Sequence, residues 1–329
     1  MTAHTISKQH TPPPTPKNRV EAEKNSRALF RHFGVELKSG RKRETIQWVR
    51  SIPFLLMQLS PLAILWVGFS PAAAWTAFAF WFIRKFAITG FYHRYFSHKS
   101  FKTSRAFQAV MAFWGGMSVQ KGALWWAAHH RDHHRFSDEP EDVHSPVRHG
   151  FLWSHMGWVL SGPAKKRQWA KVKELAKFPE LRFLDKFHIV PAVAAGALMF
   201  GWGELLEAVA PSWGTNGPQM LVWGFFVSTV VLYHTTYTIN SLTHVFGSRR
   251  YETKDDSRNH WFFALITLGE GWHNNHHHYP STARMGFFWW EIDVTYWGLW
   301  VLNKLGLIWD LRPVPEHVKA GQPLGAGHK

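Results

Sequence analysis

The sequence predicts an all-α integral membrane protein whose four transmembrane helices pair into two hairpins. Three observations support this: long apolar blocks in a chain with 26 Phe and 20 Trp, short turns without Lys or Arg inside each pair of blocks, and basic residues gathered around and between the pairs. A helix needs about 20 apolar residues to cross a hydrocarbon core of about 30 Å. Stretches near that length lie at about 52–69, 71–90, 188–208 and 219–241 of the 329-residue chain.

Taken in order, residues 1–45 carry TPPPTPKNRVEAEKNSR, which lacks the basic-then-apolar pattern of a signal peptide and reads as a disordered basic tail. Its KSGRKRE end suits anionic headgroups ahead of the first span. A single membrane domain is expected over 46–312, with a short tail at 313–329. Ser70 and Pro71 separate the first two spans, and PSWGTNGPQ separates the last two. Arg84 and Lys85, near the end of the second span, are expected to snorkel to the interface. Within 93–186, the run 107–127 is apolar but broken by Gly115, Gly116 and Gly122, which predicts a helix pair rather than a span. The basic run at 165–178 is expected to be helical, and the aromatic run at 285–311 to be an interfacial helix. Basic residues before 51, in 93–186 and after 248 put all three regions in the cytoplasm of a multi-pass inner (cytoplasmic) membrane protein, so both termini face one side.

The formal net charge of +16 suits anionic headgroups and acidic partners. It does not indicate nucleic acid, because the charges are spread between hydrophobic hairpins and match no reader motif. The absence of cysteine excludes disulfides, thiolate metal sites and cysteine nucleophiles. Any metal must be held by histidine, carboxylate or amide.

Histidine is where the chemistry concentrates. HRYFSH carries His93 and His98, HRDHH carries His130, His133 and His134, and HNNHH carries His273, His276 and His277. NSLTH adds Asn240 and His244. Positions i, i+3 and i+4 share a helix face, so each triplet is expected to aim three imidazoles at one point. His93 and His98, five apart, converge if the helix frays or tightens between them. Nine imidazoles and one amide exceed one metal's needs and suit two. Imidazole alone does not select the metal, but this density points to a redox metal, and iron is the choice: a zinc hydrolase keeps three protein ligands and an open position. A di-iron centre beside lipid implies activation of O2 against an unreactive apolar substrate. A rival comes from Glu270-x-x-His273 and Glu141-x-x-His144, which repeat the E-x-x-H of carboxylate-bridged di-iron bundles. The surplus of histidine argues against it, and leaves Glu270 as a hydrogen-bond partner of a ligating ring.

From about Phe82 to Arg312 the chain resembles the membrane-bound delta-9 acyl-lipid and acyl-CoA desaturases, through ITGFYHRYFSHKSF, WWAAHHRDHHRFSD, DVHSPVRHGFLWSHMGW, TINSLTHVFGSRRY, GEGWHNNHHHYP and ARMGFFWWEIDVTYWGLWVLNKLGLIWDLR in that order. The resemblance implies four transmembrane helices with a cytosolic helical cap holding a di-iron site. It implies as ligands His93, His98, His130, His133, His134, His244, His273, His276 and His277, with Asn240 acting through a water. His129, His144, His155 and His278 fall outside those positions. It further implies an acyl tunnel lined by Gln120 and Trp126, and O2-dependent removal of two hydrogens from adjacent methylenes, delta-9 and cis, on a stearoyl or palmitoyl chain. His129 and Asn275 depart from the animal pattern and resemble the bacterial branch. No fused cytochrome b-type domain precedes the final GAGHK, so electrons are expected from a separate carrier such as a ferredoxin or rubredoxin. Acyl-CoA, acyl carrier protein and phospholipid all remain open as substrate. Each brings a phosphate, for which Arg131, Arg135, Lys165, Lys166 and Arg167 are candidates. A di-iron hydroxylase of alkanes or lipids is the alternative activity. A haem carrier would need histidines in mid-span, and a metal transporter would show no dependence on O2.

Overall fold

The computed structural model describes residues 46–321, so the tail expected over 1–45 and the last residues of the one expected over 313–329 lie outside the described residues. It is helical apart from a two-residue antiparallel ribbon, β1 (Lys102–Thr103) with β2 (Ile308–Trp309). Three helices are long and apolar enough to cross a membrane: α1 (Trp48–Val67), α6 (Ile189–Val209) and α7 (Gly217–Ser241). Each lies within a few residues of an expected span. Between α1 and α6 lie α2 (Pro71–Phe86), α3 (Arg105–Gly116), α4 (Ala123–Phe136) and α5 (Pro179–Lys186); α8 (His273–His278) and α9 (Val294–Lys304) follow α7.

The turn between α1 and α2 is built from local chemistry. Gly68 adopts a positive φ of 69°, Ser70 caps α2 by accepting from the Ala73 amide, and Pro71 fills the first helical position, where no amide hydrogen is needed. The turn between α6 and α7 ends with Asn216 capping the Gln219 amide. The two turns are tied to each other: Ser70 Oγ donates to Gln219 Oε1 at 2.7 Å, and Gln219 Nε2 donates to the Val67 carbonyl at 2.9 Å.

Arg84 and Lys85 correct the sequence expectation. Neither reaches an interface; they are 0% and 1% exposed. The Arg84 guanidinium donates to the Phe80 and Met117 carbonyls and to Ser228 and Thr229 of α7, while Lys85 donates to Thr236 of α7. A column of hydroxyls on α7 offers acceptors inside the protein, and the cations cross-link α2 to α7 instead of snorkelling.

Two other expectations are trimmed. In 165–178 only Lys173–Ala176 is α-helical, preceded by a 3-10 turn at Trp169–Val172, because Val172 and Leu175 both turn into the core. In 285–311 the helix is confined to α9. Ahead of it, Asp293 Oδ2 accepts from the Met285 and Gly286 amides and Glu291 Oε2 from those of Phe287 and Phe288, holding that stretch in loops. The glycine-broken run at 107–127 does form a pair, α3 and α4, packed on the end of α2 through Tyr92, Phe96, Met111 and Leu124.

Gly203 of α6 has no room for a side chain: a Cβ there would sit 2.3 Å from the Asn216 carbonyl oxygen and 2.7 Å from the Gly217 Cα. Both neighbours are backbone, so the turn itself would have to move. Gly203→Ala is expected to destabilise the protein by about 1–3 kcal/mol, read as a lower melting temperature in detergent.

Candidate metal centre

The site begins where α2 changes pitch. Ala87–Ser97 continues α2 as a π-helix, with hydrogen bonds five residues apart such as His98 N to the His93 carbonyl at 3.3 Å. Residues i and i+5 then lie on one face, and the His93 and His98 rings meet at 5.0 Å between centroids. The sequence expectation was that the helix frays or tightens; it widens instead.

Both histidine triplets are helical, on α4 and α8, but neither aims at one point. Each divides. His130 and His134 join His93, His98 and His276 in one group, and His133 joins His244, His273 and His277 in a second; within each group the ligand nitrogens lie within 4.8 Å of one another. The i, i+4 pair of each helix thus goes to one group and the middle residue, about 60–100° around the helix, to the other. Along the first group Nε2 faces Nε2: His98 to His130 at 2.8 Å, His130 to His134 at 3.0 Å, His134 to His276 and His276 to His93 at 2.9 Å each. In the second, His244 and His273 face each other at 3.1 Å.

Behind the rings stand buried carboxylates. His244 Nδ1 lies 2.8 Å from Asp138 Oδ2, His133 Nδ1 3.1 Å from Asp142 Oδ2, and His277 Nδ1 2.6 Å from Asp255 Oδ2, while His93 Nδ1 contacts Glu270 Oε2. Each carboxylate holds the ring hydrogen on Nδ1, so that Nε2 of a neutral ring is left as a bare lone pair. His277 Nε2 is buried with no hydrogen-bond partner among the described residues. Burial, together with repulsion among the rings, holds His98, His130, His134, His273 and His276 far below the usual histidine range, and burial takes His133 down to about 4. His244 is the exception: burial opposes its charged form, but Asp138 outweighs burial and raises it to about 9.

Neutral rings with converging lone pairs repel unless a cation lies between them. Two nitrogens each about 2.1 Å from a metal and at right angles are about 3.0 Å apart, the spacing seen along the first group. The donor sets therefore fit metal ions. The carboxylate-bridged rival does not describe them, because Glu270 and Glu141 belong to neither imidazole group among the described residues. Glu270 instead holds His93 and Arg94, next to Gly269, where φ is 120° and an added Cβ would lie 2.4 Å from Asp293 Oδ1, which excludes a side chain. Sequence reasoning missed Asp138, Asp142 and Asp255. They follow or precede histidine boxes in SDEPED and KDD, where nothing distinguishes them from solvated acids.

The remaining candidates divide around a cavity of about 380 Å³. Gln120, Trp126, His129, His130, His144 and Asn240 all line it. Trp126 stacks on His130 at 4.9 Å, and Gln120 Nε2 donates to Thr236 Oγ1 at 3.1 Å. Gln120 sits between Val119 and Lys121, two non-glycine residues at φ 59° and 69°, a strained turn pressed into the cavity wall. Arg131 points elsewhere: it donates to the Ser97 and Phe96 carbonyls and to Glu174. Arg135 is exposed, over Phe136. His155 bonds Ser241 and His234, and His278 stacks on Tyr251.

Comparison with known proteins meets this geometry. The fatty acid desaturase family model matches residues 65–300. The chain belongs to that family. This desaturase is 35% identical over 270 residues to the sn-1 stearoyl-lipid 9-desaturase of Anabaena variabilis, covering 81% of this chain and 94% of that one. It is 35% identical over 308 residues to the sn-1 stearoyl-lipid 9-desaturase of Synechocystis, covering 91% and 92%. It is also 32% identical over 291 residues to an acyl-CoA 5-desaturase of Anemone leveillei, covering 84% and 85%.

Asp255→Ala removes the group that fixes the His277 tautomer and is expected to weaken metal binding by roughly 10–100-fold, measured by chelator competition. Asp255→Asn, which keeps an acceptor, should lose less, and His278→Ala should leave affinity unchanged.

Proposed function

We propose that the protein desaturates a long-chain fatty acyl group, stearoyl or palmitoyl, to the cis product at the 9 position. The reaction consumes O2, two electrons and two protons and yields a double bond and two waters. The observation that carries this reading is that the five-imidazole group reaches the cavity through His130, beside the apolar walls of Phe54, Met57, Trp126 and Tyr233. The names of the two cyanobacterial relatives support the 9 position and a lipid-linked chain; the acyl-CoA relative keeps the CoA ester in consideration.

Two irons, one held by His93, His98, His130, His134 and His276 and the other by His133, His244, His273 and His277 with Asn240 through a water, would supply the O2-derived oxidant for an unactivated methylene. The chain's own residues do the positioning. Trp126, stacked on His130, fixes how closely a methylene passes that ring. Gln120 and Thr236, joined by a hydrogen bond, form another part of the lining, and Lys85 donates to the Thr236 hydroxyl and fixes it. The apolar lining excludes bulk water from the reacting carbons.

In this reading α2 is a fourth span, its buried cations satisfied by α7, and the spans form two hairpins below a cap that faces the cytoplasm with both termini. A separate acidic carrier, ferredoxin or rubredoxin, delivers electrons to the basic cytoplasmic face. Expression in a desaturase-deficient host, followed by mass spectrometry of the lipids, should reveal cis-9 monounsaturated chains. Hydroxylated chains without a new double bond would point to the hydroxylase and sink this proposal. Purified protein should hold about two irons per chain, and zinc alone after anaerobic, iron-replete purification would contradict the mechanism. His276→Ala is expected to lose iron and activity while remaining membrane-inserted.

A further inference from the structure

The cavity that reaches His130 is also lined by Arg50, Lys121 and His188, none of which the desaturation chemistry uses. Arg50 is in the first turn of α1 and His188 caps α6, so both stand at the ends of helices long and apolar enough to cross a membrane. Lys121 is held there by a left-handed backbone, φ 69°, that a lysine adopts only under constraint. Its ammonium lies 3.3 Å from His188 Nε2. An ammonium can only donate, so His188 Nε2 accepts from Lys121 and aims it. Two ammonium hydrogens then remain free for a ligand. Arg167, close enough to act on both Lys121 and His188, adds a further positive charge. The nearby acid, Asp185, is occupied: Oδ1 accepts from the Trp125 amide and Oδ2 from Trp169 Nε1. Its charge acts on both Lys121 and Arg167, but the two cations outnumber it, and the positive excess beside the cavity suits an anion.

Resting on the desaturase reading, we infer that Arg50 and Lys121 bind the anionic phosphate of the substrate's carrier at the mouth of the acyl cavity, with His188 as the positioning residue for Lys121. The placement of Arg50 and His188 at the ends of α1 and α6 favours a phosphate presented by the bilayer. Full-length, iron-loaded protein and its Arg50→Gln/Lys121→Gln variant are compared on three substrates: stearoyl-phosphatidylglycerol in vesicles, stearoyl-monogalactosyldiacylglycerol in vesicles, and stearoyl-CoA. The variant's KM for the phosphatidylglycerol should rise roughly tenfold or more, with a smaller change in kcat, unchanged iron content, and little effect on the neutral galactolipid. Arg50→Lys/Lys121→Arg should recover most of the loss. A rise confined to stearoyl-CoA supports the phosphate site and assigns its source to CoA. An equal rise on the galactolipid, or none on either phosphate-bearing substrate, overturns the inference. Failure of the unsubstituted protein to desaturate any of the three refutes the desaturase reading instead.

Discussion

Everything at the metal centre depends on a carboxylate buried behind an imidazole. Taking an anion out of water costs several kcal/mol even after relaxation, and behind the imidazole groups the protein does so at Asp138, Asp142, Asp255 and Glu270. Each is recovered only by being fully engaged. Asp138 takes the His244 ring, the Ser145 hydroxyl at 2.6 Å and the Asp256 amide at 2.9 Å. Asp142 takes the His133 ring and the amides of Asp138 and His144. The return on this arrangement is directional: lone pairs are fixed before any ion arrives, so the ion need not reorganise the rings.

The same logic of internal satisfaction holds α2 against α7. Arg84 and Lys85 sit where water is scarce, and hydroxyls of α7 replace it. Because α2 runs without a break into the π-helix that carries His93, the contacts that fix α2 against α7 also set the height of the first histidine pair. The packing of α2 on α7 and the geometry of the histidine groups are one mechanical system.

Much of this was legible in the sequence, and the failures are instructive. Apolar blocks located α1, α6 and α7 closely, since length and hydropathy suffice to mark a span. Histidine spacing located both triplets on helices. What spacing did not reveal was the division of each triplet, because a single helix face says nothing about how many targets surround it. The π-helix was also invisible, because no residue type marks it. The three aspartates escaped because burial, not identity, distinguishes a structural acid from a solvated one.

The division of the triplets has a consequence of its own. Since α4 and α8 each serve both nitrogen groups, the offset between the two groups is dictated by the angular step between neighbouring residues on an α-helix. The backbone acts as a ruler. Centres that share a bridging carboxylate set their spacing with a flexible side chain, whereas here two stiff helices read out the same interval independently. Any motion that slides one helix must strain both groups together.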